Sequence, residues 1–117
     1  MKTILVIEDD VAIGELVRIV LEEENHQVVW ARNGREGLDQ LARVRPDLVI
    51  TDLMMPLLDG WALCHAMQED PQYKQIPIVV LTAAPLASTA ELPSHAVVLF
   101  KPFELDQLVE VVDRLLD

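Results

Sequence analysis

Ile4-Leu5-Val6-Ile7 is an unbroken apolar run, and Leu48-Val49-Ile50 and Ile78-Val79-Val80-Leu81 repeat the pattern later in the chain. Successive side chains of a strand point to opposite faces, so a strand that is apolar at every position must be covered on both sides. The intervening stretches supply the covers. In residues 11–24, Ile13, Leu16, Val17, Val20 and Leu21 recur at helical spacing. Leu38, Leu41 and Ala42 do so in residues 36–43, and Leu105, Leu108, Val111, Val112 and Leu115 in residues 104–116. Val28, Val29 and Trp30 form a second strand within residues 26–31, and residues 96–100 a fifth. Asn33-Gly34 is a turn signal, Pro46 stops the second helix, and Asp59 is placed to cap a third that runs to about Glu69.

Strand and helix thus alternate about five times. That order predicts an α/β fold, a doubly wound five-stranded parallel sheet with helices on both faces. The expected strand order is 2-1-3-4-5, as in flavodoxin-like folds. Residues 83–95 interrupt the pattern. They hold Pro85 and Pro93, a single charge at Glu91, and little helical periodicity, so a fourth helix is expected to be short or missing.

A length of 117 residues suits one domain, read here as residues 1–117, and 51% hydrophobic residues suit a packed core. Twenty acids against nine bases leave a formal charge of −11. That balance argues against direct nucleic-acid binding and against docking on anionic membranes. Cys64 has no second cysteine to pair with, and the apolar run after Met1-Lys2-Thr3 is too short for a signal peptide or a span. A cytoplasmic location is the expectation.

The strand ends carry the chemistry. The first strand runs into Glu8-Asp9-Asp10, the third into Asp52, the fourth into Thr82 and the fifth into Lys101. Each has an ordinary explanation by itself. Acids cap helices and open turns, threonine is at home in strands, and most lysines are solvated. Together they fall at the carboxyl edge of the sheet, where open α/β folds bind ligands. Clustered carboxylates repel, and a divalent cation relieves the repulsion; hard oxygen ligands favour Mg²⁺. A lysine and a threonine hydroxyl can hold phosphoryl oxygens, and a carboxylate can itself accept a phosphoryl group. The set describes a site that makes and breaks an aspartyl phosphate.

The chain resembles the receiver domain of two-component response regulators, the CheY-like superfamily. The resemblance lies in Ile4-Leu5-Val6-Ile7-Glu8-Asp9-Asp10, in Asp47-Leu48-Val49-Ile50-Thr51-Asp52-Leu53-Met54-Met55-Pro56 and Asp59-Gly60, in Pro77-Ile78-Val79-Val80-Leu81-Thr82-Ala83, and in Lys101-Pro102-Phe103. It implies that Asp52 is the phosphoacceptor and that Asp9 binds Mg²⁺ directly. Glu8 would do so mostly through water, and the Met54 backbone carbonyl would be a further ligand. Thr82 and Lys101 would hold the phosphoryl oxygens, Pro56 and Gly60 would shape the loop after Asp52, and Lys101-Pro102 matches a peptide bond usually cis in this family. Asp10 reads most simply as a cap for the first helix. The implied function is a phosphorylation-controlled switch, a phosphoacceptor rather than an enzyme. Its donor would be a sensor histidine kinase or a phosphotransfer protein, and its output a homodimer or a downstream effector.

The chain departs from the family pattern at three places. Val98 stands where the family usually has an aromatic residue that follows the threonine. Thr82 and Lys101 are 19 positions apart, a few fewer than usual, and the shortage falls in the Pro85 to Pro93 stretch. Met54 and Ala84, two residues beyond Asp52 and Thr82, lack side chains that could orient an attacking water. Slow self-dephosphorylation is therefore expected.

Three other readings remain. A degenerate receiver would act as a phosphorylation-independent scaffold. A flavodoxin-like electron carrier would need a Ser-, Thr- and Gly-rich loop where Glu8-Asp9-Asp10 stands. A haloacid-dehalogenase-type phosphatase would need two acids spaced by one residue, beginning with an aspartate nucleophile, and a cap insertion. Cys64, Met67, Trp30 and Trp61 read as packing residues. His26, His65 and His95 show no ligand spacing.

Overall fold

The computed structural model describes the backbone of residues 1–117 and every side chain except those of Leu86 and Ala87. Five strands form one parallel sheet in the order β2-β1-β3-β4-β5. They are β1 (Thr3–Ile7), β2 (Gln27–Ala31), β3 (Leu48–Thr51), β4 (Ile78–Thr82) and β5 (Val97–Phe100). The α-helices are α1 (Val11–Glu23), α2 (Gly34–Val44), α3 (Gly60–Glu69) and α4 (Leu105–Leu116). A six-residue 3₁₀ helix, Leu86–Glu91, lies between β4 and β5 where a further α-helix would complete the alternation. The expected fold and strand order are therefore observed, as is the short element in the fourth helical position.

Helix starts follow local chemistry. Asp10 accepts the Ile13 N–H at 3.1 Å and caps α1, and Asp59 accepts the Ala62 N–H at 2.8 Å and caps α3. Asn33-Gly34, expected as a turn, instead begins α2. The Asn33 side chain accepts the Glu36 N–H at 2.8 Å, so the helix starts two residues earlier than its apolar spacing suggested. α2 ends at Val44 with Arg45 in the left-handed region at φ 52°, immediately before Pro46.

The sheet is buried on both faces. Ile4, Val6, Ile50, Val79 and Leu81 pack against Val17 and Leu21 of α1 and Leu108, Val111 and Val112 of α4. Leu5, Ile7, Val49, Ile78 and Val80 pack against Leu41 of α2 and Leu63, Cys64 and Met67 of α3. Alternate residues of each central strand thus serve opposite cores, which is why the strands are apolar throughout. Cys64 is fully buried, and burial pushes its thiol pKa up to about 12.

Candidate phosphoryl and metal site

The parallel register places the strand ends at one edge. Ile7 pairs with Thr51, Thr51 with Val80, and Thr82 with Phe100. Glu8, Asp52, Thr82 and Lys101 therefore emerge at the same end of the sheet. The Asp52 N–H donates to the Ile7 carbonyl, and the Lys101 N–H to the Thr82 carbonyl. Backbone bonds so tie the four site segments together in pairs.

Lys101 occupies the centre. Its Nζ donates to Glu8 Oε1 at 3.0 Å and to Asp52 Oδ2 at 2.9 Å. Asp52 Oδ1 accepts the Leu53 N–H at 2.6 Å, and Glu8 Oε2 accepts the Asp10 N–H at 3.2 Å. Glu8 and Asp52 are buried, whereas Asp9 is exposed at the rim. Among the described residues, Glu8, Asp9 and Asp52 each offer a carboxylate oxygen within 4.8 Å of the others. Three carboxylates thus cluster here, and one ammonium bonds to two of them.

Burial raises the Glu8 pKa above its ordinary value, although the Lys101 ammonium pulls the other way. For Lys101 burial works against the charge, but the hydrogen bonds to Asp52 and Glu8 outweigh it and raise the pKa. A hard divalent cation suits this donor set. The three sites are oxygens, they carry excess negative charge, and one of them reaches solvent.

Thr82 is fully buried, and its Oγ1 accepts the Ala84 N–H at 3.0 Å. Met54 lies exposed in the loop after β3. In that loop the Leu58 N–H donates to the Pro56 carbonyl, a three-residue turn that holds Leu57 at φ 72°. Gly60 closes the loop against the acceptor segment. A Cβ there would lie 2.2 Å from the Asp52 carbonyl oxygen and 2.7 Å from Leu53 Cα. The Lys101-Pro102 peptide is cis. Val98 pairs with Val80 and packs on the α2–α3 core. Asp10, the remaining acid, turns its carboxylate to the start of α1.

The sequence pattern of the response regulator receiver domain matches residues 4–113. This chain belongs to that family. The receiver is 40% identical over 116 residues to the response regulator MprA of Mycolicibacterium vanbaalenii, covering 97% of this chain and 49% of that protein. It is 40% identical over 83 residues to RpaA of Synechocystis, a DNA-binding dual master transcriptional regulator, covering 71% of this chain and 34% of that one. The chain thus spans between about a third and a half of these regulators. Among solved structures, the signal receiver domain of a histidine kinase from Syntrophus aciditrophicus superposes with a TM-score of 0.93 at 34% identity, covering 99% of this chain and 90% of that one. Chemotaxis response regulator CheY4 of Vibrio cholerae gives 0.88 at 28% identity, covering 98% of each. These similarities place the receiver in two-component signalling, and they give no support to a degenerate scaffold, an electron carrier or a phosphatase. No helix among the described residues is long and apolar enough to cross a membrane.

Two residues do more than their sequence context suggests. The Trp30 indole N–H donates to the Glu8 carbonyl at 3.0 Å, and the Trp61 indole N–H to the Ser88 carbonyl at 2.8 Å. Packing was the expected role of both. Tryptophan spacing carries no information about where an N–H points, so only the fold reveals these bonds.

Proposed function

We propose that this receiver is a phosphorylation-controlled switch in which Asp52 accepts a phosphoryl group from a phosphohistidine. The phosphorus–nitrogen bond of the donor breaks as a phosphorus–oxygen bond forms on the Asp52 carboxylate. The observation that carries the reading is the seating of Asp52. It is a buried carboxylate with one oxygen on a backbone N–H and the other on Lys101, beside two further acids.

Glu8, Asp9, Asp52 and the Met54 carbonyl are the groups that would hold Mg²⁺, which when bound supplies positive charge to offset the transferred anion. Lys101 keeps a donor close to the incoming phosphoryl oxygens. Thr82, now accepting from Ala84, retains its O–H to donate to them. The donor is a sensor histidine kinase or a phosphotransfer protein. An apolar groove between Ile13 and Leu16 of α1 and Pro102, Phe103 and Leu105 adjoins Lys101, where such a protein must approach. Output passes through residues 83–95 and β5 to a second copy or an effector. Residues 1–117 act as one receiver unit.

Incubation with acetyl phosphate and Mg²⁺, followed by intact-mass measurement, tests this. One phosphoryl group should be added to the wild type and none to Asp52→Asn. Equal labelling of the variant would overturn the assignment.

A further inference from the structure

We propose that Trp30 is a positioning residue for the acidic turn after β1. The inference rests on the reading of Glu8, Asp9 and Asp52 as the Mg²⁺ and phosphoryl site. Trp30 is the penultimate residue of β2 and lies opposite Val6 of β1. Its indole crosses the end of β1 and donates to the Glu8 carbonyl at 3.0 Å. The Glu8 N–H donates to the Ala31 carbonyl at 3.0 Å. Both backbone groups of Glu8 are therefore held by β2, one through its main chain and one through the tryptophan.

The Glu8 carbonyl belongs to the planar peptide that joins Glu8 to Asp9. Holding that oxygen restrains the plane, and with it the backbone from which the Asp9 side chain extends. Asp9 is the exposed acid of the cluster and has the least packing of its own to orient it. Trp30 thus supplies from outside the site an orientation that the turn lacks.

A second feature fits the indole to this place. Gly14, inside α1, is buried against the ring, and a Cβ there would lie 2.2 Å from Trp30 Cζ2 and 2.4 Å from Cε2. Glycine within a helix is unfavourable. Here it opens the space through which the N–H reaches Glu8. The Arg32 guanidinium lies over the same ring, 5.1 Å from its centroid, and further restrains it.

Two replacements at position 30 test the inference. Trp30→Phe removes the N–H along with some volume. Benzothienylalanine at the same position keeps the shape and removes the donor. Mg²⁺ affinity is measured by calorimetry, with Leu108→Ala, in the α4 side of the core that Trp30 also packs against, as a control for lost packing and stability. Both replacements should weaken Mg²⁺ binding about three- to tenfold, while Leu108→Ala lowers the unfolding midpoint and leaves the affinity unchanged. The Trp30 indole N–H resonance of the wild type should also shift on adding Mg²⁺.

Unchanged affinity with benzothienylalanine, or an equal loss in Leu108→Ala, would overturn the positioning role. Asp9→Asn separates the underlying reading. If it abolishes binding that both position-30 variants retain, this inference alone fails. If the wild type binds no Mg²⁺, or Asp9→Asn binds as well as wild type, the site reading fails and takes this inference with it.

Discussion

The Trp61 indole N–H, on α3, reaches the Ser88 carbonyl across 2.8 Å and ties a helix to the 3₁₀ segment Leu86–Glu91. A 3₁₀ turn has poorer hydrogen-bond geometry than an α-helix, so an external tether matters more to it. Trp61→Phe should remove about 1 kcal/mol of local stability there. Hydrogen exchange at residues 83–95 should speed up roughly fivefold in proportion. Unaltered exchange in that segment would show that the tether contributes nothing.

Gly60→Ala should disturb the site from the loop side. The added methyl meets the Asp52 carbonyl oxygen and the Leu53 Cα, and backbone cannot rotate away as a side chain can. A cost of about 1–3 kcal/mol is expected. Acetyl phosphate labelling should slow as well, because the displaced carbonyl belongs to the acceptor itself. A variant with wild-type urea midpoint and labelling rate would contradict the close approach.

The Glu8 carboxyl gives the stability a pH dependence in Mg²⁺-free buffer. Burial holds its folded-state pKa above the ordinary value of 4.5, against the pull of Lys101. The folded state therefore binds that proton more tightly than the unfolded chain. The resulting stability is complete below 4.5 and lost as pH rises through the folded value. Glu8→Gln stays neutral throughout, so its advantage over wild type should grow as pH rises above 4.5 and through the raised folded value. Urea titrations in chelator measure the gap, and a gap that narrows toward neutrality would reverse the sign argued here.

The aspartyl phosphate should be long-lived. The Met54 side chain is exposed and apolar, and Ala84 is buried with no polar side-chain atom. Neither can orient a water for attack. Phosphoryl decay on the wild type should be slow, and Met54→Asn should quicken it several-fold. A wild-type half-life of seconds would refute the expectation.

Much of this arrangement can be read from the residues. Apolar runs without alternation called for a sheet covered on both sides, and the polar residues closing those runs were placed together at one edge of it. Asp10 and Asp59 were legible as caps because capping is local. Asn33 was not, since Asn-Gly suits a turn as well as a helix start, and packing onto Leu5 and Ile7 decides between them. Lys101 could be assigned to the site from its position. That it bridges Glu8 and Asp52 at once depends on the distance between two strand ends, which no local pattern encodes. The two indole bonds were illegible for a similar reason: Trp30 and Glu8 are 22 positions apart, and Trp61 and Ser88 are 27 apart.

The sealed thiol in the α3 core has a practical use. A cysteine whose pKa sits near 12 and whose side chain is fully buried scarcely reacts with alkylating reagents in the native molecule. Its modification must wait for α3 to lift from the sheet. The rate at which Cys64 is trapped then counts those openings directly. Trapping it before and after phosphorylation would report whether the signal stiffens or loosens the face opposite α1 and α4, with no residue of the protein changed.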